Sequence, residues 1–333
     1  MGLVACGRDH FDPAHNVAFV TSTVHDPLTF GADFAGADAT CAAAAADAGL
    51  HGTYVAYLAS SAVRAPDRLG NARGWIRVDG EPFVDRVADL TAGRIFNPLR
   101  IDEHGEDVGV AAGPVATGAY PNGDPSSTCD NWSNPAGSYL FGAAHGTTEA
   151  WSWTDGFPVS CASAARLYCF GTTFDSPLEP APAPGPRAFI TIQAFVPGGG
   201  LAAADALCAN EASLAGLPGT FRALLGTSTA PAASRFDLAG PTWMRVDGVP
   251  LASSRLAFVA GELATSPSVT ALGTDVVRRV LTGGAPGQID GSCSDWTDPS
   301  ATGTAGTSNR ASTSAFGAIF SDCVGYPIYC LEP

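Results

Sequence analysis

The chain has 333 residues and a formal charge of −15, from 32 acidic residues against 17 basic ones, and every basic residue is arginine. A chain this acidic repels phosphate backbones, which sets nucleic acid and anionic lipid surfaces aside as partners. No run of about 20 consecutive apolar residues, the length a membrane-spanning helix needs, is present.

In chain order, residues 1–15 read as an N-terminal anchor or tether. Leu3-Val4-Ala5-Cys6 has the small-residue pattern that precedes the lipidated cysteine of bacterial lipoproteins, which makes Cys6 the expected lipidation site. The stretch before Cys6 is too short for a charged and an apolar signal region, so this reading places the start inside a longer signal peptide or takes the sequence as trimmed, with a spare cysteine outside the repeat as the plainer alternative.

From residue 16 onward almost every element is expected twice. The runs 17–22 and 188–192 are β-branched and aromatic enough for opening strands. The alanine-rich, proline-free stretches 35–48 and 201–215 predict helices closed by Gly49 and Gly216. Short strands follow at 54–59 and 221–225. Trp75 to Val78 and Trp243 to Val246 lead into Asp-Gly turns of the kind tight hairpins prefer. The closing strands are 166–170 and 326–331. Between them, 88–128 and 260–292 read as long irregular stretches. The segment 174–187, with Pro177, Pro180, Pro182, Pro184 and Pro186, predicts an extended spacer. The expected domains are therefore 16–173 and 188–333, each large enough to bury its own core.

The duplication is clearest in the cysteines. Cys41, Cys129, Cys161 and Cys169 are spaced by 88, 32 and 8 residues, and Cys208, Cys293, Cys323 and Cys330 by 85, 30 and 7. Ala37-Asp38-Ala39-Thr40-Cys41 recurs as Ala204-Asp205-Ala206-Leu207-Cys208, and Cys129-Asp130-Asn131-Trp132 as Cys293-Ser294-Asp295-Trp296. An even, repeated cysteine set implies structural disulfides and an oxidising compartment. Within each repeat four cysteines allow three pairings, and the spacing does not choose among them.

Phe19-Val20-Thr21-Ser22, Ala35 to Cys41, Ala48-Gly49-Leu50-His51-Gly52-Thr53-Tyr54 and Arg166-Leu167-Tyr168-Cys169-Phe170 together resemble a bacterial family of secreted or surface proteins, a domain of unknown function. That family is similar to the endostatin and C-type-lectin-like fold. The second repeat resembles it less closely, since Tyr326-Pro327-Ile328-Tyr329-Cys330 lacks the arginine. The resemblance implies an α+β fold of two tandem C-type-lectin-like domains. Each would have a small, mostly antiparallel sheet, a disulfide-tethered helix and a long loop region. It also implies nested bridges, Cys41 to Cys169, Cys129 to Cys161, Cys208 to Cys330 and Cys293 to Cys323.

Lectin-like folds often hold calcium in the long loop. Asp102, Glu103, Glu106 and Asp107 cluster four carboxylates there, the donor type that a hard cation requires, with a solvated acidic turn as the plainer alternative. Calcium is the one cofactor considered. Asp130 and Asn131 carry the residue types of a lectin ligand-binding strand in a different order. Trp151 and Trp153, two apart on a strand, would share a face and form a stacking platform, or else face the core. All six histidines precede the second repeat, and no HExxH, GxSxG, paired CxxC or phosphate-cradling motif occurs, so no enzyme activity is expected. The expected function is a non-catalytic adhesion or binding protein, outside the cell or on an outer-membrane surface, that recognises a glycan or protein ligand through loop faces. The alternative is a structural component of a cell-envelope or extracellular assembly.

Overall fold

The β-branched, aromatic stretch that opens each repeat becomes a central strand. The computed structural model describes residues 15–109, 113–143, 158–180, 183–317, 319–323 and 325–333. Cys6, Trp151 and Trp153 lie outside them. The first unit runs to Glu179 and the second from Pro180.

The first unit contains β1 (Asn16–Val20), α1 (Ala35–Asp47), β2 (Tyr54–Ala56), β3 (Trp75–Arg77), β4 (Pro82–Val84), α2 (Val87–Thr91), β5 (Pro114–Ala116), β6 (Ser138–Tyr139), β7 (Phe141–Ala143), β8 (Val159–Ser160) and β9 (Arg166–Gly171). Seven strands form one sheet in the order β4-β3-β1-β9-β5-β7, with β2 also on β9. The first and last strands are antiparallel neighbours, with Phe19 opposite Cys169. Two pairs, β1 with β3 and β5 with β9, are parallel. The sheet is mostly antiparallel, as expected, in four of its six pairings, but with seven strands it is larger than the small sheet expected. Parallel neighbours need crossovers of a dozen or more residues, and the chain between β1 and β3, which carries α1, and the chain between β5 and β9 are both long enough. The 88–128 stretch is not wholly irregular, because it contains the rest of α2 and all of β5.

The second unit contains β10 (Arg187–Ile190), α3 (Gly200–Leu214), β11 (Arg222–Ala223), β12 (Met244–Arg245), α4 (Arg255–Ala260), β13 (Arg279–Leu281), β14 (Thr302–Thr307), β15 (Ile319–Asp322) and β16 (Tyr329–Leu331). Its strands form two sheets, β11-β16-β10-β12 and β13-β14-β15. A parallel bridge between Leu281 and Ile328 joins them where β5 meets β9 in the first unit.

Each central sheet is buried on both faces, and strand alternation divides its residues between two cores. Phe19, Leu167 and Cys169 face the α1 side, where they pack with Ala37, Cys41 and Ala45. Ala18, Val20, Tyr168 and Phe170 face the other way, onto Trp75 and Phe83. The second unit repeats the division, with Phe189 and Cys330 on the α3 side and Ala188, Ile190 and Tyr329 around Trp243. The small side chains of α1 let it approach the sheet closely. Its end is a Schellman cap: the Leu50 N–H donates to Ala45 O at 2.8 Å and the Gly49 N–H to Ala46 O at 3.1 Å, with Gly49 at φ +71°.

Disulfides join Cys41 to Cys169, Cys129 to Cys161, Cys208 to Cys330 and Cys293 to Cys323. The first and third tie the helix of each unit to its closing strand. An ion pair and a backbone bond tie the same helix to the strand that follows it, β2 or β11. Asp38 accepts the Ala56 N–H at 2.9 Å and Arg68 at 2.6 and 2.8 Å. Asp205 does the same for Ala223 at 2.9 Å and Arg235 at 2.6 Å.

The proline-rich segment is held at both ends. Asp85 accepts the Leu178 N–H at 2.8 Å, Leu178 is buried in the first core, and Met244 donates its N–H to Pro186 O at 2.8 Å. The two ends of the spacer expected at 174–187 are therefore held, Leu178 by the first unit and Pro186 by the second.

Candidate functional site

The acidic stretch forms a tight turn. The Asp102 N–H donates to Glu106 O at 2.9 Å, and Asp102 Oδ1 accepts the N–H groups of His104 and Glu106, both at 2.9 Å. Glu103, only 4 % exposed, accepts the Ser22 N–H at 2.8 Å and the Ser22 hydroxyl at 2.5 Å. Asp107 pairs with Arg100 at 3.0 Å and accepts the Gly109 N–H at 2.9 Å, and Glu106 is exposed. The four carboxylates do not converge. Among the described residues, no three or more His, Cys, Asp or Glu side chains stand together as metal ligands would, so the calcium expectation does not fit this donor set.

Asp130 and Asn131 belong to a different device. Cys129, Asp130, Asn131 and Trp132 all have positive φ, between 53° and 64°, and so do Cys293, Ser294, Asp295 and Trp296, between 51° and 66°. A left-handed turn of L-residues costs roughly 1–2 kcal/mol per residue, so it persists only where its surroundings hold it. In the first unit the Cys129–Cys161 bridge does so, together with Thr128 Oγ1 accepting the Asn131 N–H at 3.3 Å, Asn131 Oδ1 accepting the Ser61 N–H at 2.7 Å, and Trp132 Nε1 donating to Ala59 O at 3.0 Å. The second unit substitutes Ser292 for Thr128 and Asp295 for Asn131. Asp295 accepts the N–H of Ser228 at 2.6 Å and its hydroxyl at 2.9 Å, and those bonds hold its carboxyl below the usual carboxylate range. Trp296 Nε1 donates to Gly226 O at 2.6 Å. The role of Asn131 therefore recurs, whereas exposed Asp130 has Ser294 as its counterpart.

Glycine is required beside each of these tryptophans. A Cβ on Gly118 (φ +61°) or Gly283 (φ +69°) would lie 2.9 Å from the Trp132 or Trp296 ring. Arg77 and Arg245, which their strand positions suggest are surface charges, are 6 % and 2 % exposed and bind Asp79 and Asp247 across the Asp-Gly turn. The recurring polar residues thus serve internal contacts of the scaffold.

The units diverge over one surface. The bridges Val20 to Asp102 and Ile190 to Thr270 are equivalent, which aligns Glu103 with Ala271 and His104 with Leu272. The cysteine alignment of the helices sets Ala44 against Glu211 and Asp47 against Leu214. In the second unit Glu211, not a loop residue, supplies the carboxylate to the opening strand: it accepts the N–H groups of Ile192 at 2.8 Å and Gln193 at 2.7 Å. The sequence repeats flag Asp38 and Asp205 but not Glu211, because its counterpart Ala44 has no acid. Above Glu211, Ile192, Gln193, Leu214, Ala271 and Leu272 complete a groove of about 120 Å³.

No protein-family model matches the chain, and no curated protein matches its sequence.

Proposed function

We propose that the chain is a non-catalytic extracellular binding protein, made of two lectin-like units, that recognises a glycan or protein ligand through its exposed loop faces. The observation that carries this reading is the division of labour among polar residues. Those that recur, Asp38/Asp205, Arg68/Arg235, Arg77/Arg245 and Asn131/Asp295, are engaged in internal contacts with backbone, with one another or with their own turns, while the exposed residues around Ser22 and Ile192 differ between the units. One scaffold carrying two different surfaces is what selection for binding leaves behind. The four disulfides fit an oxidising, extracellular setting, and among the described residues no helix is long and apolar enough to cross a membrane. A lipid on Cys6 would place the binder at a membrane surface, and intact-mass analysis of native material tests it.

The full chain should be applied to arrays of glycans and extracellular proteins, with calcium and with chelator. Saturable binding that survives chelator is the expected result. Trp151→Ala and Trp153→Ala then test the aromatic pair as a ligand platform. Absence of saturable binding across the arrays would contradict the reading.

A further inference from the structure

A glycine after an aspartate or asparagine leaves its backbone nitrogen unhindered beside a side-chain carbonyl carbon, because it has no Cβ in the way. The chain has five such pairs, Asp79-Gly80, Asn122-Gly123, Asp155-Gly156, Asp247-Gly248 and Asp290-Gly291. Asp155-Gly156 lies outside the described residues.

Three of the other pairs are held away from reaction. The Gly80 N–H donates to Arg77 O at 3.0 Å and the Gly248 N–H to Arg245 O at 2.8 Å, while the same arginines bind the carboxylates of Asp79 and Asp247. The Gly123 N–H donates to Tyr120 O at 2.8 Å, and Asn122 Oδ1 accepts the Asp124 N–H at 3.1 Å. Asp290 differs. The Gly291 N–H donates to Asp290 Oδ1 itself at 2.8 Å, so the nitrogen lies against the carboxyl group it would attack. Near-attack geometries bring reacting atoms to about 3–3.5 Å, and the soft terminal torsion of an aspartate can turn the carboxyl carbon toward that nitrogen. The Asp290 side chain is also exposed to water.

We infer that the fold selects Asp290-Gly291 as a site of spontaneous isoaspartate formation. Gly291 N forms a bond to Asp290 Cγ, and its proton leaves with the carboxyl hydroxyl as water, which closes a succinimide. Water then adds to either imide carbonyl. Breaking the new bond restores aspartate, whereas breaking the original peptide bond leaves the main chain running through Cγ, one methylene longer.

That added length falls where the second unit has no room for it. A Cβ on Gly291 would lie 3.0 Å from the Gly303 backbone, Gly291 O accepts the Thr304 N–H at 3.0 Å, and the next residue, Ser292, caps the left-handed turn by accepting the Asp295 N–H at 3.3 Å. The rearrangement should therefore loosen the turn at Cys293–Trp296. The aligned residues of the first unit are Ser126 and Ser127, and Ser127 O accepts the Leu140 N–H at 2.9 Å in the same role, so that turn has no such pair beside it.

The test stores the full chain at neutral pH and reads isoaspartate at each pair by peptide mapping, with fragmentation that distinguishes the two linkages. In the folded chain Asp290 should convert at least tenfold faster than Asp79 and Asp247, and faster than Asn122. In the reduced, denatured chain its advantage over Asp79 and Asp247 should shrink to twofold or less, and Asn122, whose amide is the better leaving group, should overtake it. Asp290→Glu should remove the product, since the larger ring closes far more slowly. Hydrogen exchange of the aged chain should quicken over 291–296 and not over 127–132. Conversion no faster at Asp290 than at Asp79 and Asp247 in the folded chain would overturn the inference. So would an equal tenfold advantage after denaturation, which would assign it to local sequence alone, or exchange that quickens in both units or in neither.

Discussion

The two units place a carboxylate at the same point by different routes. In the first, Glu103 reaches Ser22 from a loop turn; in the second, Glu211 reaches Ile192 and Gln193 from a helix. The part-buried backbone that follows the opening strand is given an acceptor there, and an N–H buried without one costs up to about 1–3 kcal/mol. What the fold holds constant is the acceptor, not its address in the chain. Once the helix supplies it, the turn is free to lose its acids, and Thr270, Ala271 and Leu272 stand where Asp102, Glu103 and His104 do.

The comparison breaks most visibly at the disulfides. Cys41–Cys169 and Cys208–Cys330 have sequence separations of 128 and 122 residues and join equivalent elements. Replacing either pair with alanine should cost its own unit about 2–5 kcal/mol. Hydrogen exchange of β9 and β16 peptides within one chain would show the loss confined to the edited unit. Losses of very different size would mean the units are not equivalent scaffolds.

A smaller effect is expected at the glycines. Gly118→Ala combines a strained φ with overpacking against Trp132, about 1–2 plus 1–3 kcal/mol. Gly49→Ala, at φ +71° with no atom within 4 Å of the new Cβ, should cost only the strain. Denaturant titration separates them, and Gly283→Ala should match Gly118→Ala in the other unit.

The smallest effect is one of pH and belongs to the first unit. Burial would raise the carboxyl of Asp85, but hydrogen bonds from Arg73 and the Leu178 N–H outweigh it, and its pKa lies below the usual value of 3.8. A depressed carboxylate pKa stabilises the fold at pH values above the unfolded pKa, and that contribution is lost as pH falls through the folded one. Acid titration should therefore loosen the 174–178 segment below about pH 4, and Asp85→Asn should remove that step. A step that survives the substitution would assign it to another group.

Much of the scaffold is legible in the residues themselves. The alanine-rich helices, their closing glycines and the duplicated cysteines are local signals with strong periodicity or spacing. The parallel strand pairs are not, because β3 and β5 are only three residues long and β12 only two, and their partners lie far off in sequence. The left-handed turns at Asp130 and Ser294 escape for a different reason: they are imposed by a disulfide, a capping hydroxyl and a tryptophan anchor. Asp102 and Glu103 look like metal ligands in one dimension. In three they hold the Ser22 strand end and their own turn.

The central claim, that both units are one scaffold needing the same acceptor, is tested most directly by moving the carboxylate. Glu103→Ala should cost the first unit about 1–3 kcal/mol, measured by hydrogen exchange of β1 and β9 peptides in the full chain. Adding Ala44→Glu, at the helix position equivalent to Glu211, should recover at least half of that loss. A double variant no more stable than Glu103→Ala alone would contradict the account.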